Sequence, residues 1–173
     1  MLFAAVLAAT LFPVVAGSRS FFSYDLFYEH LPIWSEVQGY LRAGTSPFWL
    51  DGFFMGHPLA FTQEAPVFYP LTVPLLLTGA PVHRLADVFS LVHLWLAGLG
   101  GFLLVRFLTK ARIAPLFGGL AYMLSARTLQ SVIWPNAVAV AALIPFLLLG
   151  IGWLAAERHR AGLLLTALSG GLS

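Results

Sequence analysis

The chain alternates between long apolar runs and short polar breaks. Met1 to Gly17 is apolar almost throughout, and Leu85 to Val105 forms a second run closed by Arg106, Lys110 and Arg112. Ile113 to Leu124 is shorter, carries Gly118-Gly119 and leads to Arg127. Asn136 to Ala156 ends in the charged turn Glu157-Arg158-His159-Arg160, and Ala161 to Ser173 begins another run. A helix crossing a bilayer needs ~20 apolar residues. The pattern therefore predicts spans at about 1–17, 85–106, 113–127 and 135–156, with the start of a further one at 161–173. Residues 1–173 read as the N-terminal part of a larger multi-span membrane domain. Val15-Ala16-Gly17 resembles a signal-peptide cleavage site, but no Lys or Arg precedes the first run, which argues for a retained span.

Between the first two runs the pattern changes. Residues 18–84 hold five of the seven carboxylates, Asp25, Glu29, Glu36, Asp51 and Glu64, set among aromatics. Tyr24 to Ala43 has helical periodicity: at ~100° per residue Asp25, Glu29 and Glu36 fall on one stripe, with Leu26, Phe27, Leu31, Trp34, Val37 and Leu41 around much of the rest. Ser23 is placed to cap this helix, and Pro32 either kinks it or ends a short first helix. Arg42 to Pro47 and Gly56-His57-Pro58 read as turns. Residues 66–78 are apolar but too short to cross and contain Pro66, Pro70 and Pro74, which predicts an interfacial or re-entrant segment.

Composition fixes the class. Hydrophobic residues make up 60% of the chain and charged residues 9%, with a mean hydropathy of +0.88; a soluble domain is about a quarter charged. The net charge of +2 is loop bias. No basic cluster interleaved with aromatics exists to hold nucleic acid. The absence of cysteine removes disulfides, thiolate zinc sites and a cysteine nucleophile. The two basic clusters belong in the cytoplasm by the positive-inside rule. That orientation makes 18–84 an extracytoplasmic loop, with an interfacial helix over about 24–43.

Other residues have plain structural readings. Arg84 can pair with Asp87 at i, i+3 or hold a phosphate, and Arg127, also placed outside, offers the same second choice. His30, His57, His83 and His93 form no paired ligand spacing, so no metal site is read; His93, inside a span, reads as hydrogen-bonded in the bundle. Ala97 and Gly101, and likewise Gly118-Gly119, suit close helix packing. Pro135 and Asn136 suit the first turn of a span.

The order YDLFYEHLPIW, FWLDGFFMGHPL, TQEAPVFYPL, HLWLAGLGGFLLVRFL, LFGGLAYMLSA, WPNAVAVAALIPFLLL, covering Phe21 to Leu149, resembles the YfhO-like bacterial membrane proteins and, through them, the GT-C superfamily of polytopic glycosyltransferases. Asp25 with Leu31-Pro32, Gly56-x-Pro58, Phe68-Tyr69-Pro70 and Pro135-Asn136 carry the resemblance most specifically. It implies an all-α polytopic GT-C-like helical bundle in the bacterial plasma membrane. It also implies transfer of sugar from a polyprenyl-phosphate donor to a lipid, polymer or protein acceptor at the outer face.

In that reading Asp25 holds the place of the catalytic acidic residue and acts as general base; a carboxylate partly desolvated among Phe21, Phe22 and Phe27 is better able to take a proton. Glu29 and Glu64 are implied for acceptor orientation or, in metal-using relatives, cation binding. Arg84 and Arg127 are placed for the donor phosphate. No cofactor is required by the sequence, and no divalent-cation spacing is present. Besides membrane lipid, the implied partner is the polyprenyl-phosphate-linked sugar. A transporter, flippase or assembly scaffold for cell-envelope polymers, using the same cavity without chemistry, stands as the alternative.

Overall fold

The computed structural model describes residues 1–52, 55–59 and 69–172. Their architecture is mostly helical: α1 (Leu2–Thr10), α2 (Phe12–Val15), a π-helical turn (Leu26–His30) running into α3 (Leu31–Arg42), α4 (Thr72–Leu77), α5 (Val82–Leu108), α6 (Ala114–Met123), α7 (Ala126–Ser131), α8 (Pro135–Ala155) and α9 (His159–Leu172). A two-residue antiparallel ladder pairs β1 (Trp49–Leu50) with β2 (His57–Pro58). Helix α5 is the hub, packed against α1, α3, α4, α6, α7 and α8, and α9 packs on α8.

Helices α5 and α8 are long and apolar enough to cross a membrane. Fewer than half the residues of their most apolar windows are buried, 44% and 39%, and Val88, Phe107, Leu108, Ile144, Leu148 and Ile151 are exposed. These apolar side chains lie on the outer faces of the two helices.

The other two expected spans take a different form. Residues 1–17 hold a nine-residue α1 and a four-residue α2, broken at Leu11 one position before Phe12-Pro13. Pro13 lacks the N–H that would continue the first ladder, so α2 starts anew with its proline in the opening turn. Residues 113–127 hold the ten-residue α6, about 15 Å long, then a break where Ser125 starts α7 by accepting the Thr128 N–H at 3.2 Å. The Ser cap competes with helix continuation, a signal the hydropathy pattern does not weigh.

Helices α5 and α8 run parallel. Ser90 Oγ donates to the Val132 carbonyl at 3.2 Å just before α8. Farther along, a Cβ added to Gly100 would meet Phe146 at 2.8 Å, and one added to Gly152 would meet Phe107 at 2.6 Å. Arg106, Lys110, Arg112, Arg158 and Arg160 therefore gather at one end of the pair, and Arg84, Asp87 and Trp134 at the other. The chain returns from the basic end through α6 and α7.

Glycine sets the closest approaches. A Cβ on Gly119 would lie 2.6 Å from the Gly98 carbonyl oxygen and 2.6 Å from the Phe3 ring, so α1, α5 and α6 meet where side chains are absent. Gly101 faces Gly118 and Gly119 across the same seam, the close packing expected of these residues. In α8, Pro145 sits inside the helix and removes the N–H that Ala141 would receive. Tyr122 of α6 supplies the replacement, its hydroxyl donating to the Ala141 carbonyl at 2.7 Å.

Two outcomes test this packing. Gly119→Ala should separate α5 from α6 and lower stability by about 1–3 kcal/mol, read as a lower midpoint of thermal unfolding in detergent. Tyr122→Phe should cost about 1–3 kcal/mol by leaving a buried carbonyl unpaired. In the Pro145→Ala background that cost should shrink, because the alanine N–H is available to Ala141; equal losses in both backgrounds would contradict the pairing.

Candidate functional site

The acidic segment is tied down at its start by one ion pair. Arg84, in the first turn of α5, bonds Asp87 Oδ2 at 3.2 Å. Its guanidinium also donates to the carbonyls of Arg19, at 2.8 Å, and Gly17. Asp87 is buried, and its other oxygen accepts the Phe21 N–H at 2.9 Å. Residues 17–21 therefore lie across the beginning of α5, with three of their backbone groups paired to two side chains. The expected i, i+3 pair is present. The donors on Nη1 and Nη2 that would face a phosphate are directed at protein carbonyls.

From there the chain enters its interfacial helix. Ser23 Oγ accepts the Leu26 N–H at 3.0 Å, the expected cap. Pro32 neither breaks nor ends the helix. The Leu31 N–H instead reaches the Leu26 carbonyl, five residues back, and the resulting π turn widens the helix just before the proline ring. The extra residue in that turn rotates everything after it by roughly 100° relative to a regular helix. The single stripe of acids predicted from regular periodicity is thereby divided.

Asp25, half-buried, directs Oδ2 to the indole Nε1–H of Trp134, which donates at 2.9 Å. Glu29 is exposed. Glu36 Oε1 accepts the Gly52 N–H at 3.0 Å, and beside it Tyr40 donates to Asp51 Oδ2 at 2.9 Å. Glu36 and Asp51 thus anchor the Trp49–Pro58 ladder to α3, while Asp25 faces the opposite partner, the start of α8.

Trp134 is the residue immediately before α8, with Pro135 at its first position and Asn136 Oδ1 accepting the Ala137 N–H at 2.9 Å. The partial positive charge of a helix N-terminus is complementary to a carboxylate there. Among the described residues the second oxygen of Asp25 has no partner, so one oxygen is held and the other is available. Phe21, Phe22 and Phe27, expected around Asp25, line a cleft of about 560 Å³ with Leu31, Pro32 and Val82. Of the remaining expected site residues, Arg127 is exposed on α7, and Glu64 lies outside the described residues. Among those residues no cluster of three or more His, Asp or Glu is arranged to hold a metal ion.

Behind the acidic helix lies a buried aromatic cluster. Trp34 meets Phe89 edge-on with centroids 5.6 Å apart, and Phe89 meets Tyr69 at 5.5 Å. His93 is fully buried, with Nδ1 2.7 Å from the Phe89 carbonyl and Nε2 2.7 Å from the Tyr69 hydroxyl. Because a carbonyl only accepts, Nδ1 carries the proton, and the neutral ring accepts from Tyr69 at Nε2. Burial pushes the Tyr69 hydroxyl above its ordinary pKa, which keeps it a donor. His93 is hydrogen-bonded in the bundle, as its place in an apolar run predicts.

Sequence reasoning missed Trp134. A tryptophan opening a span has an indole N–H that seeks an acceptor. The acceptor is 109 residues away, and no local pattern connects the two.

Asp87→Asn should loosen the knot over residues 17–21, costing about 1–3 kcal/mol for a weakened charged hydrogen-bond set. Trypsin cleavage after Arg19 should accelerate in the variant while cleavage after Arg112 stays unchanged; an unaltered rate at Arg19 would show that the pair does not hold the segment.

Comparison with protein-family models, curated proteins and solved structures finds no match to this chain.

Proposed function

We propose that the chain acts in an outer-face membrane glycosyltransferase of GT-C type, with Asp25 as general base. The observation that carries the reading is the Asp25–Trp134 contact. A carboxylate from the first loop is held by the leading residue of α8 at 2.9 Å, and among the described residues its other oxygen has no partner and can take a proton. A charge-assisted bond of this kind fixes orientation, and a fixed, partly exposed base is what hydroxyl activation requires.

The chemistry follows from that placement. An acceptor hydroxyl attacks the anomeric carbon of a polyprenyl-phosphate-linked sugar as its proton passes to the free oxygen of Asp25. The bond between anomeric carbon and phosphate oxygen breaks, and its electron pair leaves with the polyprenyl phosphate. Configuration inverts, and the leaving group needs no proton. Glu29, exposed and four residues from Asp25, orients the acceptor. Arg127, exposed on α7, meets the donor phosphate. Arg84 is the weaker phosphate ligand of the two, since it would have to release Gly17, Arg19 or Asp87. The protein is multi-pass in the plasma membrane. The end bearing Asp25 is extracytoplasmic, because the five basic residues at the opposite end of α5 and α8 favour the cytoplasm.

Asp25→Asn should lower sugar transfer about 10²–10⁴-fold, the usual contribution of a general base, with donor binding retained. Trp134→Phe keeps the ring and removes the N–H, and should lower turnover up to about 100-fold through misplacement of the carboxylate. Product formation from a panel of polyprenyl-phosphate sugars measures both. Undiminished transfer by Asp25→Asn would remove Asp25 from the mechanism. Complete absence of transfer by the unsubstituted protein, together with substrate movement across vesicles, would favour a transporter or flippase.

A further inference from the structure

The N-terminal part of the acidic helix exposes four aromatic rings in one ridge. Phe22, Tyr24, Phe27 and Tyr28 are 73%, 72%, 51% and 62% exposed. They touch in sequence: Phe22 and Phe27 have centroids 5.8 Å apart, Phe27 and Tyr28 5.3 Å, Tyr24 and Tyr28 4.5 Å. Aromatic side chains present 150–250 Å² each, so the ridge exposes about 400–600 Å² of largely apolar surface. That is as large as the largest patch a water-facing monomer usually tolerates. The ridge is continuous with the apolar cleft of about 560 Å³, which shares Phe22 and Phe27.

Its depth follows from α5. Twenty-seven residues make a helix of about 40 Å, about 10 Å longer than the hydrocarbon core. Between Asp87 and Arg106 the helix carries no Asp, Glu, Lys or Arg, and this uncharged stretch is about 27 Å long, close to the thickness of that core. The turn bearing Arg84 and Asp87 therefore stands in the headgroup layer. Phe21 is hydrogen-bonded to Asp87, so the ridge that begins at Phe22 starts at the same level. Two of its rings are tyrosines, with an apolar body and a polar tip, the amphipathic type enriched at that boundary.

We propose that the Phe22–Tyr24–Phe27–Tyr28 ridge is seated in the headgroup layer of the leaflet at the N-terminal end of α5, with a lipid surface as its partner. It holds Asp25 at the lipid–water boundary, so any substrate reaching this carboxylate does so at headgroup depth. The inference is independent of the reaction Asp25 serves.

The chain contains no cysteine, so single-cysteine variants can be spin-labelled without further changes. Phe22→Cys, Phe27→Cys and Tyr28→Cys would be compared with Ala111→Cys, an exposed position between Lys110 and Arg112 at the other end of α5. The probe is the full protein in vesicles of phosphatidylcholine and phosphatidylglycerol, and the readout is nitroxide collision with oxygen against a water-soluble nickel chelate. Seating at headgroup depth predicts an oxygen-to-nickel ratio at positions 22, 27 and 28 several-fold above that at 111. A ratio at these three positions equal to that at 111 would place the ridge in water. Dipolar broadening between labels, or labels reached by neither reagent, would make it a contact between protein surfaces. Either result overturns the proposal.

Discussion

Each backbone carbonyl that a proline, a bend or a helix end releases within the apolar bundle must find a donor, and this constraint organises the molecule. Apolar side chains offer none, and a buried unpaired carbonyl is costly. Tyr122 serves the carbonyl that Pro145 strands at Ala141. Gln38 donates to the Leu76 and Ala80 carbonyls, both at 3.1 Å, where α4 ends. Ser90 serves Val132 ahead of α8, and Arg84 serves Gly17 and Arg19 where the first helical pair ends. In each case the donor belongs to a different element from the acceptor. The same bonds that satisfy the backbone therefore set how the helices sit together. Polar side chains are scarce in this chain, and these four tie one element to another.

The fold was legible where periodicity and apolar length speak directly. Helices α5 and α8, the helix from Tyr24 through Arg42, its Ser23 cap, the glycine seam and the Arg84–Asp87 pair all follow from local signals. The departures have local physical causes too. Pro13 and Ser125 divide two apolar runs that hydropathy alone treats as continuous, because a missing N–H or a competing hydroxyl acts at one residue while hydropathy averages over many. The π turn ahead of Pro32 is a further instance. A regular periodicity of 100° per residue places Asp25 and Glu36 together, and one additional residue in a turn parts them.

The candidate site was legible only on one side. Asp25 could be singled out from sequence order, yet its orienting group could not, since Trp134 lies 109 residues away. The pairing exists because α5 and α8 are parallel, so the start of α8 returns to the end of the bundle where the acidic segment begins. That return depends in turn on α6 and α7 carrying the chain back from the basic end. Long-range geometry of this kind is a property of the packed helices, and no window of sequence contains it.

The division of the acids has a chemical consequence. On one regular edge Asp25, Glu29 and Glu36 would all face the same neighbours along about 16 Å of helix. Instead Glu36 is turned to the Gly52 N–H and works as a structural anchor, and Asp25 is turned to an indole N–H at a helix N-terminus. One carboxylate is thus committed to the backbone of the Trp49–Pro58 ladder, while the other keeps an oxygen unengaged among the described residues. Pro32, by favouring the π turn, separates an acid bonded to a backbone N–H from one bonded to an indole N–H within a single helix. A regular helix through the same residues, as Pro32→Ala would favour, would rotate Glu36 by roughly 100° relative to Asp25, so that the two carboxylates could not both keep their present partners.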